Sequence, residues 1–394
     1  MTDTTGGLPP GPRGLGTAFA RAHLPAAPEA GQARSTPVRP IPGLHWHSVP
    51  EPDPLLVAEV EERTARWAVD EIGLYPPEWE EDFRGFGFGY AICLQHPDYQ
   101  SVEHLMVASR MLVAENAIDD TYCEAGPYGG GPSGLAYRIL RAHTAVDPLH
   151  TAEPYASQWR EWRDSDPAVV SYVSAFSYLE KYGTPAQADR ERHDLLRLHL
   201  GYAAEAGYAL DGTVPTVWQY LLYRQYNNFR PCPVLTDLVA GYELPAEFHD
   251  LPLVQKMIGL AGNATTIVND LYSYTKELRS DPGHFNLPRV VQAETGCSDR
   301  EAYLEAIRVH NDLMEQFEEQ CALLMAAHPL PQLARFCKGV ADWVDGNHWW
   351  HATNDHRYSL PDFWDEEELT TSGPADCHSP APVTLPTPEE LELL

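Results

Sequence analysis

Residues 269–277 have the sequence NDLYSYTKE, in which three oxygen-bearing side chains, Asn269, Ser273 and Glu277, recur every four residues. In an α-helix a four-residue step turns by about 400°, so the three positions fall within about 80° of one another. An amide, a hydroxyl and a carboxylate in one row predict a site for a hard cation such as Mg²⁺, which prefers oxygen ligands. A polar stripe on an amphipathic helix is the alternative interpretation of the same pattern.

A second group of acids, Asp119, Asp120 and Glu124, closes another apolar helical stretch, in the sequence DDTYCE. Acids at the C-terminal end of a helix oppose its macrodipole and cost about 0.3–1 kcal/mol each. Stability alone therefore does not favour them there, although a solvated helix end is the simpler alternative. Two oxygen-rich rows on two helices together indicate metal binding more strongly than either row does alone.

Four further side chains carry groups that bind phosphate oxygens. Arg224 lies on a helical stretch that the prolines of RPCP must end. Arg357 and Tyr358 come just before the helical part of the chain stops, and Lys276 stands beside the row described first. Arginine grips phosphate with a planar fork, and lysine acts as a point charge. A single residue of this kind is usually an ordinary surface residue, so these four gain significance only in combination with the acidic rows.

The periodicity of the chain predicts one all-α domain. Apolar residues recur at helical spacing through most of residues 44–365, and no glycine-rich phosphate loop follows a strand. Residues 1–43 are dense in Pro, Gly and Ala and predict a disordered or extended arm. Residues 366–394 are acidic and proline-rich and predict a disordered tail.

Charge and composition exclude several classes of partner. The chain has 27 Lys and Arg against 57 Asp and Glu, so its formal net charge is −30, which makes nucleic acid and anionic membranes poor partners. No run approaches the roughly 20 apolar residues of a membrane helix, and the first residues show no secretory signal. The seven cysteines are dispersed without C-x-x-C pairs, which argues against a disulfide framework. We therefore expect a cytoplasmic protein.

The two acidic rows, Arg224 and the Arg357–Tyr358 pair, in this order and at these separations, resemble the metal and diphosphate motifs of the bacterial class I terpene synthases. The resemblance covers about residues 40–365 and implies a helical bundle around a central active-site cavity. Stretches such as RQYNNFRPCP and VADWVDGNHWWHATN are similar to the actinomycete members that act on 2-methylgeranyl diphosphate.

The resemblance also implies a role for each motif residue. Three Mg²⁺ ions are expected around the substrate diphosphate, with Asp119 bridging two of them and the row on residues 269–277 holding the third. Asp120 and Glu124 complete the first row. Arg224 is expected to sense the diphosphate, and its oxygens are bound by Lys276, Arg357 and Tyr358. Asn227 and Asn228 occupy the position of a broken helix that, with Arg224, triggers ionisation.

The chain departs from the family pattern at a few positions. The familiar form of the first motif is D-D-x-x-D, but Cys123 occupies the fifth place, and Glu124 is the acid able to stand in. Ala125 follows where the subgroup commonly has an acid, and Trp349 precedes Trp350 where a polar residue is expected. These differences leave the expectation of substrate ionisation unchanged, but they do not fix the product.

The implied reaction is ionisation of 2-methylgeranyl diphosphate and cyclisation to an eleven-carbon bornane-type terpenoid. The alternatives are a cyclase giving 2-methylenebornane, one using geranyl or farnesyl diphosphate, and a non-catalytic acidic helical scaffold. A chain-elongating prenyl diphosphate synthase would need a second D-D-x-x-D, which NDLYSYTKE replaces.

The product is expected to form in an aromatic pocket that stabilises a carbocation. The candidates for its wall are Phe86, Phe88, Trp343, Trp349 and Trp350. A geranyl diphosphate C-methyltransferase is the implied supplier of the substrate, and a homodimer is consistent with the family.

Overall fold

A computed structural model describes residues 35–75, 79–99, 101–123, 130–280, 284–371 and 374. Its elements are β1 (Ser35–Pro37), α1 (Pro54–Ala65), α2 (Glu80–Gly85), α3 (Phe88–Gln95), α4 (Val102–Ile118), α5 (Leu135–His143), α6 (Tyr155–Ser165), α7 (Pro167–Tyr182), α8 (Pro185–Asp211), α9 (Val217–Arg224), α10 (Thr236–Val239), α11 (Ala246–His249), α12 (Pro252–Ser280), α13 (Leu287–Thr295), α14 (Asp299–Ala327), α15 (Pro331–Thr353), β2 (Ser359–Pro361) and α16 (Glu366–Thr371). The predicted all-α class is confirmed, with one short strand pair added. Within these residues, no helix has both the length and the apolar character that crossing a bilayer requires.

Several helices begin where the sequence places a cap. The Asp53 side chain accepts a hydrogen bond from the backbone N–H of Leu55, and Pro54 occupies the first turn of α1. Thr184 and Gln187 form a reciprocal capping box at the start of α8. These caps satisfy backbone donors that the first turn of a helix leaves without partners.

The long helices pack around α12. This helix contacts α14 and α15, while α15 lies against α3, and α4 packs on α1 and α7. The buried side chains form two apolar clusters, one centred on α4 and the other on α12 and α14. Helices α3, α4, α12 and α15 thereby surround the region in which the candidate site lies.

Two interruptions of helical geometry occur beside that region. Helix α4 does not end in a regular turn but passes into a π-helical turn at Asp119–Cys123, a feature often found at functional sites. Helix α9 ends at Arg224, and the chain continues through irregular turns to a short 3₁₀ segment at Pro233–Leu235. Gly201 on α8 permits the close approach of this break, because a Cβ there would collide with the backbone of Asn227.

Residues 35–43, which lie within the predicted N-terminal arm of residues 1–43, make specific contacts with the rest of the chain. Strand β1 pairs antiparallel with β2, with Thr36 opposite Leu360. Ile41 is fully buried, and the hydroxyl of Tyr272 donates to the carbonyl oxygen of Arg39 at 3.2 Å. These contacts could not be predicted from the sequence, because each involves an isolated residue in a segment rich in proline and glycine that shows no periodic pattern.

The first residues of the predicted C-terminal tail, residues 366–394, also have regular structure. Residues 366–371 form the short helix α16, whose Leu369 is buried. The remainder of the predicted tail, apart from residue 374, lies outside the described residues, as do residues 1–34 of the predicted arm.

A histidine–carboxylate contact fastens the N-terminal segment to the bundle. The Nδ1 atom of His47 lies 3.3 Å from the Asp345 carboxylate, and its Nε2 atom lies 3.5 Å from Glu318. The hydrogen bond to Asp345 is the largest cause of a raised pKa at His47, and burial opposes it. A raised folded-state pKa contributes stability below the ordinary value near 6.5, and this contribution is lost as the pH rises through the folded-state value.

We therefore expect the substitution His47→Gln to lower the melting temperature more at about pH 6 than at about pH 8. Thermal unfolding followed by circular dichroism across this range measures the difference. His150→Gln, at an exposed histidine, serves as the control and should leave the profile unchanged. A constant gap between wild type and His47→Gln at all pH values would contradict this assignment.

Candidate active site

The three oxygen-bearing side chains of α12 lie on one buried face, as their spacing predicts. Asn269, Ser273 and Glu277 are each at most 3% exposed. One oxygen atom of each side chain, Asn269 Oδ1, Ser273 Oγ and Glu277 Oε1, has no hydrogen-bond partner. The Ser273 hydroxyl lies near that of Tyr358, but the two do not form a hydrogen bond of normal geometry.

A histidine that the sequence analysis missed orients Asn269. The Nδ1 atom of His351 lies 2.8 Å from the carbonyl oxygen of Asn347, which can only accept, so Nδ1 carries the proton. Burial lowers the pKa of His351 to about 3, so the ring is neutral and Nε2 is an acceptor. Nε2 therefore accepts from the Asn269 amide nitrogen at 3.2 Å, which directs the Asn269 oxygen away from the ring.

An asparagine orients Glu277 in a comparable way. Asn286 caps α13 by accepting from the backbone N–H of Arg289, and its amide nitrogen donates to Glu277 Oε2 at 2.8 Å. The second carboxylate oxygen, Oε1, is thereby left without a partner. Burial raises the pKa of Glu277, and the nearby charge of Lys276 and the bond from Asn286 only partly offset this effect.

These oxygens fit a divalent cation. A buried acceptor without a partner costs about 1–3 kcal/mol, so three on one helix face would be a substantial penalty in a purely structural protein. Carboxylate, hydroxyl and amide oxygens suit Mg²⁺, which also keeps waters and takes phosphate oxygens. Asn269, Ser273 and Glu277 are accordingly the residues that would hold such an ion.

The first acidic row lies at the end of α4. Asp119 is buried, and Asp120 accepts a hydrogen bond from the hydroxyl of Tyr75 at 3.1 Å. Asn116, about one turn earlier on α4, lines the same cavity as Asn269 on α12. The two helices that carry the acidic rows thus face one cavity. Glu124, the predicted substitute for the missing acid, lies outside the described residues, as does Ala125.

Arg224 is held by a carboxylate that the sequence analysis did not single out. Its guanidinium donates to Asp270 at 3.0 Å, and Asp270 also accepts from the Tyr220 hydroxyl at 2.5 Å and the backbone of Leu287 at 3.0 Å. Both members of the ion pair are buried. Asp270 was visible in the sequence as the neighbour of Asn269, but it faces a different side of α12.

The remaining predicted cations gather around Tyr358. The Arg357 side chain donates to the Tyr358 hydroxyl at 2.8 Å, and its guanidinium lies 4.8 Å from the centroid of the Phe86 ring. The Lys276 ammonium lies 6.0 Å from the centroid of the Tyr358 ring, which stacks on His351 with 5.2 Å between centroids. Strand β2 follows Tyr358 directly, so the β1–β2 pair fixes this segment.

The two asparagines of the helix break are held firmly. Asn227 donates to Glu205 at 2.5 Å, and Asn228 donates to the side-chain oxygen of Asn263 at 2.9 Å. The Asn228 oxygen accepts from the backbone of Arg230 at 3.0 Å. Phe229, between these residues, lines the cavity, so the break does reach the candidate site.

The cavity is lined by Phe86, Phe88, Ala91, Gln95, Leu112, Asn116, Phe229, Asn269, Asn347, Trp350, Arg357 and Tyr358. Three of the five aromatic residues predicted for its wall, Phe86, Phe88 and Trp350, are among these. Trp343 instead lies behind Phe229, with 5.9 Å between ring centroids. Trp349 stacks on Trp46 with 5.3 Å between ring centroids, away from the cavity. Neighbouring side chains on α15 point to different faces of the helix. The sequence alone does not show which of these faces lies against the cavity.

A family model confirms what the geometry indicates. The model described as terpene synthase family 2, C-terminal metal binding, matches residues 110–316. A 2-methylisoborneol synthase of Streptomyces ambofaciens is 55% identical over 359 residues, which are 90% of this chain and 81% of that protein. This chain belongs to the terpene synthase family.

Further proteins similar to this terpene synthase support the same family assignment. A 2-methylisoborneol synthase of Saccharopolyspora erythraea is 36% identical over 311 residues, covering 79% of this chain and 88% of that protein. The crystal structure of 2-methylisoborneol synthase from Streptomyces coelicolor A3(2) in complex with Mg²⁺ and 2-fluoroneryl diphosphate matches with a TM-score of 0.80 and 55% identity. It covers 83% of this chain and 100% of that chain. The predicted class I terpene synthase fold is therefore confirmed.

Removing one oxygen-bearing side chain from the α12 row should strongly reduce turnover. We expect Asn269→Ala and Glu277→Gln each to lower the rate of diphosphate release in the presence of Mg²⁺ by about 100-fold or more. Circular dichroism should show an unchanged helical fold, because neither side chain anchors the core. Glu315→Gln, at an exposed position on α14, is the matched control. Full activity of either row variant would show that the row is structural.

The Arg224–Asp270 pair should behave as a coupled unit. Asp270→Asn leaves a buried guanidinium without its anion, and we expect it to lower the free energy of unfolding by about 3–5 kcal/mol. The double variant Arg224→Met/Asp270→Asn should recover most of this loss, because it removes both charges. Urea unfolding of the two single variants and the double variant measures the coupling. Additive losses would show that the two side chains do not interact as the structure indicates.

Proposed function

We propose that this chain is a Mg²⁺-dependent cyclase that converts 2-methylgeranyl diphosphate into 2-methylisoborneol and releases diphosphate. The observation that carries the proposal is the row of three buried oxygens without partners, on a helix that lines an aromatic cavity together with Arg357 and Tyr358. The similarity to proteins named 2-methylisoborneol synthase, up to 55% identical, supports this particular substrate and product.

The first step is departure of diphosphate from the allylic carbon. When bound, Mg²⁺ ions supply positive charge that stabilises the leaving group. The chain itself contributes Arg224, Lys276 and Arg357 as cations, and burial raises the pKa of Tyr358, which keeps its hydroxyl available as a donor. Because Arg224 is held by Asp270, and Arg357 by Tyr358 and the β1–β2 pair, these two groups need little reorganisation when the charge develops.

The second requirement is protection of the carbocation. The rings of Phe86, Phe88, Phe229 and Trp350 line the cavity. An aromatic face stabilises a nearby cation by about 0.5–2 kcal/mol or more when the site is dry. Trp350 is itself held in place, since its indole nitrogen donates to the carbonyl oxygen of Phe86 at 2.9 Å.

Of the departures from the family pattern, the one at Trp349 does not affect the cavity wall, whereas the one at Cys123 affects the metal-binding row. Trp349 stacks on Trp46 away from the cavity, so the apolar residue at this position does not alter the wall. Cys123 is buried at the end of the π-helical turn and supplies no hard oxygen ligand. Glu124 is the acid we assign to the metal row in its place.

The proposed substrate carries eleven carbons, one more than geranyl diphosphate. A C-methyltransferase acting on geranyl diphosphate must therefore precede this enzyme. This supplier is part of the same proposal.

Incubation of the purified protein with Mg²⁺ and, separately, geranyl, 2-methylgeranyl and farnesyl diphosphates tests the proposal. We expect 2-methylgeranyl diphosphate to be turned over fastest and to give 2-methylisoborneol, identified by gas chromatography–mass spectrometry. Omission of Mg²⁺ and the variant Glu277→Gln should both suppress product. Preference for geranyl or farnesyl diphosphate would assign a different cyclase activity, and absence of turnover with all three would refute the proposal.

A further inference from the structure

Two amide side chains in the cavity have oxygen atoms that the fold leaves without partners. Gln95, at the end of α3, and Asn347, on α15, are 1% and 2% exposed. Neither Gln95 Oε1 nor Asn347 Oδ1 has a hydrogen-bond partner. Both residues line the cavity among apolar and aromatic neighbours. Such atoms are costly in an apolar environment, so their presence there calls for a ligand.

The packing of α3 against α15 brings together the backbone segments that carry the two amides. Gly346 precedes Asn347, and a Cβ at Gly346 would collide with the carbonyl of Leu94 and the backbone nitrogen of Gln95. The backbones of the two helices are therefore in direct contact at this level. A larger residue at position 346 would force them apart.

The pair lies farther from the diphosphate-binding groups than the metal row does. Helix α15 runs antiparallel to α3, since Trp350 and Asn354 donate to the carbonyl oxygen of Phe86 while Gly346 meets Leu94. His351 contacts Asn269, and Asn347 lies four residues, about 6 Å, further from Tyr358 along the helix. Gln95 and Asn347 thus occupy the part of the cavity where the hydrocarbon chain must fold.

We propose that Gln95 and Asn347 together bind the water molecule that captures the final carbocation. This inference rests on the proposed function and names the groups that make the product an alcohol rather than an olefin. The two amide oxygens accept the two hydrogen atoms of one water. The lone pairs of that water then point away from the amides and toward the cation.

Capture forms one bond and breaks one. The water oxygen donates a lone pair to the cationic carbon, which gives a protonated alcohol. One O–H bond then breaks: the protonated alcohol leaves the amides and passes the proton to the diphosphate released by ionisation, which is the stronger base in the same cavity. No oxidant or further reactant is needed, and the products are the neutral alcohol and protonated diphosphate.

Neutral amides suit this role better than carboxylates. A carboxylate beside the cation would be a base, and removal of a proton from the carbon next to the cationic centre gives an olefin. An amide oxygen accepts a hydrogen bond but is a very weak base, so it holds the water without promoting elimination. Both amides are therefore positioning residues, which act through the water that they hold.

Product analysis of two near-isosteric variants, Gln95→Met and Asn347→Leu, tests this assignment. Each removes one acceptor while keeping much of the side-chain volume. With 2-methylgeranyl diphosphate and Mg²⁺, we expect the ratio of alcohol to olefin to fall about tenfold or more in each variant. The rate of diphosphate release should change much less, because ionisation does not use this water. Gln320→Met, at a buried glutamine on α14 outside the cavity lining, is the matched control and should leave the ratio unchanged.

A further variant of Gln95 distinguishes a role in holding the water from a purely structural role. Gln95→Glu keeps the side-chain shape but places a carboxyl group beside the cation, so it should lower the ratio of alcohol to olefin at least as far as Gln95→Met, which a purely structural role of Gln95 would not predict. An unchanged alcohol-to-olefin ratio in Gln95→Met and Asn347→Leu would overturn the inference while leaving the proposed function intact. Formation of olefin alone by the wild type would also overturn it. Failure of the wild type to turn over any prenyl diphosphate would instead refute the proposed function.

Discussion

The site depends on a row of oxygen atoms that the protein buries on α12 without satisfying them. Asn269 Oδ1, Ser273 Oγ and Glu277 Oε1 have no partner, although each side chain is almost entirely buried. An unsatisfied buried acceptor lowers the stability of the fold. The surrounding structure accepts this cost and even enforces it, since His351 and Asn286 occupy the other polar atoms of Asn269 and Glu277. The extensive packing of α12 against α14 and α15 offsets the loss.

The same arrangement resolves the conflict between a formal net charge of −30 and an anionic substrate. Carboxylates near the cavity recruit divalent cations, and these in turn attract phosphate. The positive side chains of the site are few and are held by specific partners, Arg224 by Asp270 and Arg357 by Tyr358. Local geometry therefore outweighs the repulsion that the overall charge would produce, because surface charges beyond about 10 Å are largely screened at moderate salt.

Features that follow from helical spacing could be predicted from the sequence, whereas features that arise from contacts between distant segments could not. The four-residue spacing on α12 and the capped start of α1 needed only local geometry. The division of the tryptophans between cavity and core depends on which face of α15 meets α3. The orienting partners His351 and Asn286 lie 82 and 9 residues from the side chains they hold. The amide pair Gln95 and Asn347 likewise has no local pattern, since tertiary packing alone makes them neighbours.

The π-helical turn at Asp119–Cys123 has a consequence for how such chains are compared. In this geometry the backbone bonds between residues five apart, whereas a regular α-helix bonds residues four apart. An acidic motif written with a fixed four-residue step presupposes regular winding. The next acid after Asp120 in this chain, Glu124, comes five residues after Asp119. A motif search with fixed spacing would reject such a chain. An alignment that allows a one-residue insertion at the π-helical end of the helix would retain it.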